Sequence, residues 1–214
     1  MGNDFLQGIQ QAIAVMSWWE VVAVVTALVY LLLAMAERIE CWYAALVSTA
    51  IYTVLFWDVS LLMESALQVY YMAMAVYGWW QWNKGDNAGE KLTIQIWTLR
   101  THLLALIILA VLVVVSGYLL SNNTEAAWPY LDSFTTWASV ITTYMVAKKV
   151  LENWLYWLLI DSVSIFLYID RGLYFTALLF MLYIVIVCFG YFQWRRRYHQ
   201  QNEVPVVSQH TLPS

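Results

Sequence analysis

Seven long apolar runs, each cut off by a short polar break, constrain this chain more than any single motif in it. They extend from about Trp18 to Ala36, Cys41 to Trp57, Leu61 to Trp82, Thr101 to Leu120, Pro129 to Ala147, Asn153 to Tyr168 and Leu173 to Trp194. Each is near the roughly 17–25 residues with which a helix crosses about 30 Å of hydrocarbon. The breaks are polar, among them Glu37-Arg38, Asn83-Lys84-Gly85-Asp86-Asn87 and Ser121-Asn122-Asn123-Thr124-Glu125. Composition agrees: 63% of residues are hydrophobic and 11% charged, against about 45–50% and about 25% in ordinary soluble domains. The chain reads as an all-α integral membrane protein with seven transmembrane helices.

Charge orients the spans. Arg38, Lys84, Lys91, Arg100, Lys148, Lys149, Arg195, Arg196 and Arg197 fall on one side, and Arg171 alone falls on the other. Basic loops stay cytoplasmic, so the N-terminus is expected outside and the C-terminus inside. Residues 1–17 lack the basic start of a cleavable signal peptide, so the first span is expected to stay attached. Cys41 and Cys188 sit at a helix start and deep in a helix, which implies no disulfide framework.

An internal repeat underlies the pattern. Shifted by 112 residues without a gap, Glu20–Trp82 lies on Asp132–Trp194 and pairs Glu40 with Glu152, Trp42 with Trp154, Asp58 with Asp170, Tyr71 with Tyr183 and Gly78 with Gly190. Gln81-Trp82 meets Gln193-Trp194 in the same register. The expected plan is 3+1+3: an interfacial segment over 1–17, a three-helix repeat over 18–84, a linker with the fourth helix over 85–127, a second three-helix repeat over 128–197, and a disordered cytoplasmic tail over 198–214. A single linker helix keeps both triplets in the same orientation, related by an axis along the membrane normal. Two such bundles make a natural site between them, near the midplane. Positions identical in both halves read as scaffold; positions polar in one half only are candidates to grip an asymmetric ligand.

Those candidates centre on the sixth span. Asn153, Trp157 and Asp161 recur at i, i+4 and i+8 and share one helix face. A carboxylate that deep usually faces a bundle interior or wet cavity and marks a functional path; the alternative is a carboxylate satisfied by a neighbouring Ser or Thr. Their counterparts in the first half are Cys41, Ala45 and Thr49. In the third span Gln68, Tyr71, Met72, Ala75 and Trp79 follow helical spacing, and an amide beside a phenol suits a neutral polar ligand as well as it suits helix–helix hydrogen bonding. The fifth span is rich in hydroxyls, Ser133, Thr135, Thr136, Ser139, Thr142 and Thr143 among them. Most indoles lie near span ends, where aromatic belts sit, but Trp137 and Trp157 lie deeper and could stack on a planar heteroaromatic or a cation.

Other chemistries lack their residues. No His, Cys and carboxylate set has metal-ligand spacing. There is no phosphate-binding loop to hydrolyse a nucleotide, and no HExxH or GxSxG motif. The seventh span has no lysine for a retinal Schiff base. The readings left are transport, or a seven-helix ligand sensor whose short basic tail carries no output domain.

Glu152-Asn153-Trp154-Leu155-Tyr156-Trp157 resembles the NWxxW motif of PnuC-type nicotinamide riboside transporters. Gln68 in its LLMESALQVYY context, Gly78-Trp79-Trp80-Gln81-Trp82, Asp132-Ser133-Phe134-Thr135-Thr136 and Gly172-Leu173-Tyr174 are similar to that family too. The resemblance spans about residues 18–197 and implies a bacterial inner-membrane uniporter, usually a lipid-embedded homotrimer with one pathway per protomer. It implies facilitated diffusion of the vitamin B3 riboside, a precursor of NAD, made one-way by a riboside kinase inside the cell. It implies no enzyme activity, no cofactor and no nucleic-acid partner. The matching motifs give Asn153, Trp154 and Trp157 as substrate-binding residues, joined by Asp161, Gln68, Tyr71, Trp79 and Thr135. Related carriers take thiamine, riboflavin or deoxynucleosides, and a thiamine carrier is the alternative within transport.

Overall fold

The computed structural model describes residues 16–58, 62–87, 92–124 and 127–203, with residues 10 and 14. Over these the chain forms seven long helices: α1 (Trp18–Met35), α2 (Cys41–Asp58), α3 (Leu62–Asn87), α4 (Leu99–Asn123), α5 (Pro129–Ala147), α6 (Asn153–Asp170) and α7 (Tyr174–Glu203). Helices satisfy their backbone within one segment, as a hydrocarbon environment requires. α1, α4 and α7 are long and apolar enough to cross a membrane by composition alone, with mean hydropathy 2.0, 3.0 and 2.4. The chain is a multi-pass membrane protein.

Local chemistry starts and stops these helices. Ser17 caps α1 with a reciprocal pair: its hydroxyl accepts from Glu20 N at 3.2 Å, and its own N–H donates to Glu20 Oε2 at 2.6 Å. Thr98 accepts from Thr101 N to open α4. Pro129 stands in the first turn of α5, where its missing N–H costs nothing.

Helix contacts run α1–α2–α3–α5–α6–α7 and back to α1, closing six helices into a ring, whereas α4 lies outside it, packed along α5 and touching α6 where His102 Nδ1 and Tyr156 OH are 2.9 Å apart. That division accounts for the sequence pattern. α4 leaves Leu104, Ile107, Val111 and Val114 exposed, and it is aliphatic nearly all round. α5 lies in the ring and buries Ser133, Ser139, Thr142 and Thr143.

Two crossed indole pairs lock the ring. Trp42 meets Trp82 edge-on at 5.3 Å and 82°, and Trp154 meets Trp194 at 5.4 Å and 86°. Trp42 also lies against Gly78, and Trp154 against Gly190. Each outer indole reaches a carbonyl across the ring: Trp82 Nε1 donates to Ala147 O at 3.2 Å, and Trp194 Nε1 to Ala34 O and Met35 O at 3.2 and 3.1 Å.

The α1–α2 and α5–α6 turns share one hydrogen-bond pattern. Arg38 N donates to Leu33 O and Glu37 N to Ala34 O; Val150 N donates to Met145 O and Lys149 N to Val146 O. These are Schellman caps, with Glu37 (φ 57°) and Lys149 (φ 51°) in the left-handed position. The α6–α7 turn has the same bonds, Leu173 N to Tyr168 O and Gly172 N to Ile169 O, with glycine at φ 72°.

Two boundaries differ from the sequence reading. α3 continues through Asn87, so all five residues of the expected polar break, 83–87, are helical. α7 continues through Glu203, so residues 198–203 are helix rather than disordered tail. Tertiary contacts hold it out that far: Tyr198 packs on the core, and Gln201 Oε1 accepts from Ile94 N at 3.2 Å. Most of the expected interfacial segment over 1–17, and the tail from 204 onward, lie outside the described residues.

Candidate functional site

α6 is the element around which polar side chains gather. Asp161 is the ninth of its 18 residues, half-way along, and is 3% exposed. Asn153, Trp157 and Asp161 do share a stripe, which at 1.5 Å per residue spans about 12 Å. The same stripe continues to Ser164, which is buried, and Tyr168.

No hydrogen bond or ion pair reaches the Asp161 carboxyl from the described residues. Its surroundings are phenolic. Tyr183 of α7 lies within electrostatic reach of Asp161, of Tyr52 on α2 and of Tyr168. Tyr71 of α3 lies within reach of Tyr168 and of Ser139 on α5; Tyr30 of α1 is close to Tyr71. All six ring helices thus contribute to one buried polar zone. The counterpart position 112 residues earlier behaves differently: Thr49 turns its hydroxyl onto Ala45 O of its own helix at 2.8 Å. A hydroxyl can satisfy itself that way because it carries a proton to donate; a carboxylate is an acceptor only. A buried polar group left without a partner calls for an explanation.

The other sequence-derived residues divide into two groups. Trp157 is half-buried, touches both apolar cores, and its indole N–H has no partner among the described residues. Gln68 is likewise half-buried, with its amide unbonded among those residues. Tyr71 joins the phenolic zone. Asn153 is fully buried at the start of α6, where Nδ2 donates to Val150 O at 2.6 Å and Oδ1 lacks a partner.

Trp154, by contrast, is 2% exposed and committed to Gly190 and Trp194. Trp79 Nε1 donates to Tyr43 OH at 2.9 Å. Thr135 bonds Leu131 O and Asp132 O of its own helix. Trp137, the second deep indole, donates to Ser116 on α4 at 3.0 Å and so serves the α4–α5 contact outside the ring.

Sequence reasoning passed over Tyr52, Tyr168 and Tyr183. Tyr168 is legible in the sequence, seven residues from Asp161 on one face, and Tyr183 as the counterpart of Tyr71 at the 112-residue offset; Tyr52 comes in only through packing.

The sequence profile of a family described as "Nicotinamide mononucleotide transporter" matches residues 17–196. The chain is similar to the nicotinamide riboside transporter PnuC of Escherichia coli, with 25% identity over 84% of this chain and 85% of that one. It is also similar to the riboflavin/roseoflavin transporter RibM of Streptomyces davaonensis, with 27% identity over 83% and 84%. Its fold matches the crystal structure of the vitamin B3 transporter PnuC at a TM-score of 0.70, with 22% identity over 92% of this chain and 90% of that one.

Proposed function

From the premise that this chain belongs to the nicotinamide mononucleotide transporter family, we propose that it carries nicotinamide riboside into the cell by facilitated diffusion. The observation that carries the substrate assignment is the partnerless Asp161 carboxyl at mid-membrane, amid phenols and beside the free indole of Trp157. The pyridinium ring of the riboside is planar and permanently positive. It would find a platform in Trp157, counter-charge in Asp161, and hydrogen-bond partners in Gln68, Tyr71 and Asn153 for its amide and hydroxyls. Trp154, Trp79 and Thr135 would hold these groups in place.

The 3+1+3 plan belongs to the same proposal: residues 18–84 and 128–197 are two three-helix repeats, and 85–127 is a linker whose α4 stands outside the ring. Support comes from the Glu37 and Lys149 turns, the two crossed indole pairs and the two glycine contacts, each recurring at an offset of 112 residues. Positive loops place the helix ends at Glu37 and Lys149 in the cytoplasm, in a bacterial inner membrane. A homotrimer and a cytoplasmic kinase that traps the riboside complete the proposal.

A relative named as a riboflavin carrier makes riboflavin the competing ligand. Riboflavin has no fixed positive charge for Asp161 to meet. Thermal-shift titration of the purified protein decides, since a ligand that binds only the native state raises the midpoint. Nicotinamide riboside is expected to stabilise and riboflavin much less. Stabilisation by riboflavin alone overturns the assignment.

A further inference from the structure

Schellman caps favour glycine in the left-handed position, and the α6–α7 turn complies with Gly172. At the opposite end of the bundle, Glu37 and Lys149 occupy that position at φ 57° and 51°, a conformation L side chains seldom adopt. Their side chains meet across the ring: Lys149 Nζ lies 2.9 Å from Glu37 Oε2, and each side chain is 12% exposed. Arg197, from the far end of α7, donates to Glu37 Oε1 at 2.9 Å and to Ala36 O at 2.8 Å. The Lys149 ammonium also stands 4.6 Å above the Trp82 ring.

Among the described residues the distribution of such ties is uneven along the bundle. At this end the Glu37–Lys149 and Glu37–Arg197 pairs and both cross-ring indole bonds join the first half to the second, while Arg38 pairs with Glu40 inside its own turn and Glu152 faces His102 of α4. At the other end, Arg171 pairs with Asp132 at 2.6 Å and Trp128 donates to Asp170 at 2.8 Å, both within the second half.

We propose that Glu37, Lys149 and Arg197 form a charge latch that closes the inner end of the pathway and must part for substrate to leave the central site toward the cytoplasm. The inference rests on the transporter reading and its orientation. An ion pair suits a latch better than an apolar seal does. Shielded, it holds because an isolated buried charge is costly; once water enters, each charge is solvated and separation is easy. Carrying a carboxylate and an ammonium where glycine fits better is accounted for if those side chains work across the ring.

Two variants test this. In Glu37→Gly/Lys149→Gly the latch is gone while each turn receives the residue its backbone prefers, so folding should survive. Cys41 is a native reporter, fully buried beside the latch and within electrostatic reach of Lys149. In a Cys188→Ala background, a water-soluble maleimide applied from the inner side should label Cys41 about tenfold faster in the double-glycine variant, the change expected of a tenfold population shift. An unchanged labelling rate overturns the latch, and this arm needs no substrate.

The second variant, Glu37→Cys/Lys149→Cys, is bridged by a short reducible bis-methanethiosulfonate. Bridging should abolish nicotinamide riboside uptake in proteoliposomes, leave binding from the outer side intact, and be reversed by reductant. Uptake that persists through the bridge, or loss of binding together with uptake, overturns the proposal. If the unmodified protein binds no riboside while Cys41 labelling responds as stated, the substrate assignment fails and the latch stands.

Discussion

The Trp154 ring lies so close to Gly190 that a Cβ on that glycine would stand 2.7 Å from Trp154 Cζ3. Trp42 is seated on Gly78 more tightly still. Absence of a side chain at these two positions lets α7 and α3 approach their indoles, and each indole in turn carries an edge-on partner, Trp194 or Trp82.

Gly190→Ala should therefore overpack the site, at a cost of about 1–3 kcal/mol. The alanine would favour the helix backbone, by about 1 kcal/mol at an exposed position, but the indole is pinned and cannot give way. Thermal unfolding in detergent, followed by indole fluorescence, should show a lower midpoint for Gly190→Ala and for Gly78→Ala. Midpoints equal to that of the unmodified protein would mean that the rings move aside.

Trp157 and Trp18 should separate binding from anchoring. Trp18 is 74% exposed at the start of α1, whereas Trp157 stands half-buried on the Asp161 stripe. Base–aromatic stacking is worth about 1–3 kcal/mol, so Trp157→Ala should weaken riboside binding roughly 5- to 150-fold. Trp18→Ala should leave it nearly unchanged. Calorimetric titration checks the pair, and equal effects would return Trp157 to a packing role.

Asp161 bears on driving force. An intramembrane acid is a common part of proton-coupled carriers, yet among the described residues no His or Lys stands beside it to complete a relay. With a permanently cationic ligand it need only supply counter-charge. Uptake into proteoliposomes should then stop at equal concentrations on both sides, even under an imposed pH gradient at zero membrane potential. Accumulation beyond that point, abolished by Asp161→Asn, would make Asp161 a coupling residue.

Orientation is checked with reporters. A fusion after Ser214 should read cytoplasmic, and a tag at Asn122-Asn123, the end of α4, should read external. An externally accessible C-terminus would reverse the polarity and move the Glu37–Lys149 latch to the outer end.

The sequence alone determined the seven helices, the aliphatic character of α4, the 112-residue register and the Asp161 stripe. These are local or periodic properties: run length sets a span, and helical spacing sets a face. Closure of α1–α2–α3–α5–α6–α7 into a ring decided the rest. It brought Tyr183 to Asp161 and Tyr52 to Tyr183, and it committed Trp154 to Gly190, though an NWxxW motif by itself does not separate the packed indole from the free one. It sent the Thr49 hydroxyl and the Asp161 carboxyl, equivalent in register, to different fates. It also set Glu37 against Lys149, 112 residues away along the chain and 2.9 Å away across the ring. Hydropathy and spacing act within a helix, but a side chain's partner comes from whichever helix the fold sets beside it, so pairing is decided only when the ring closes.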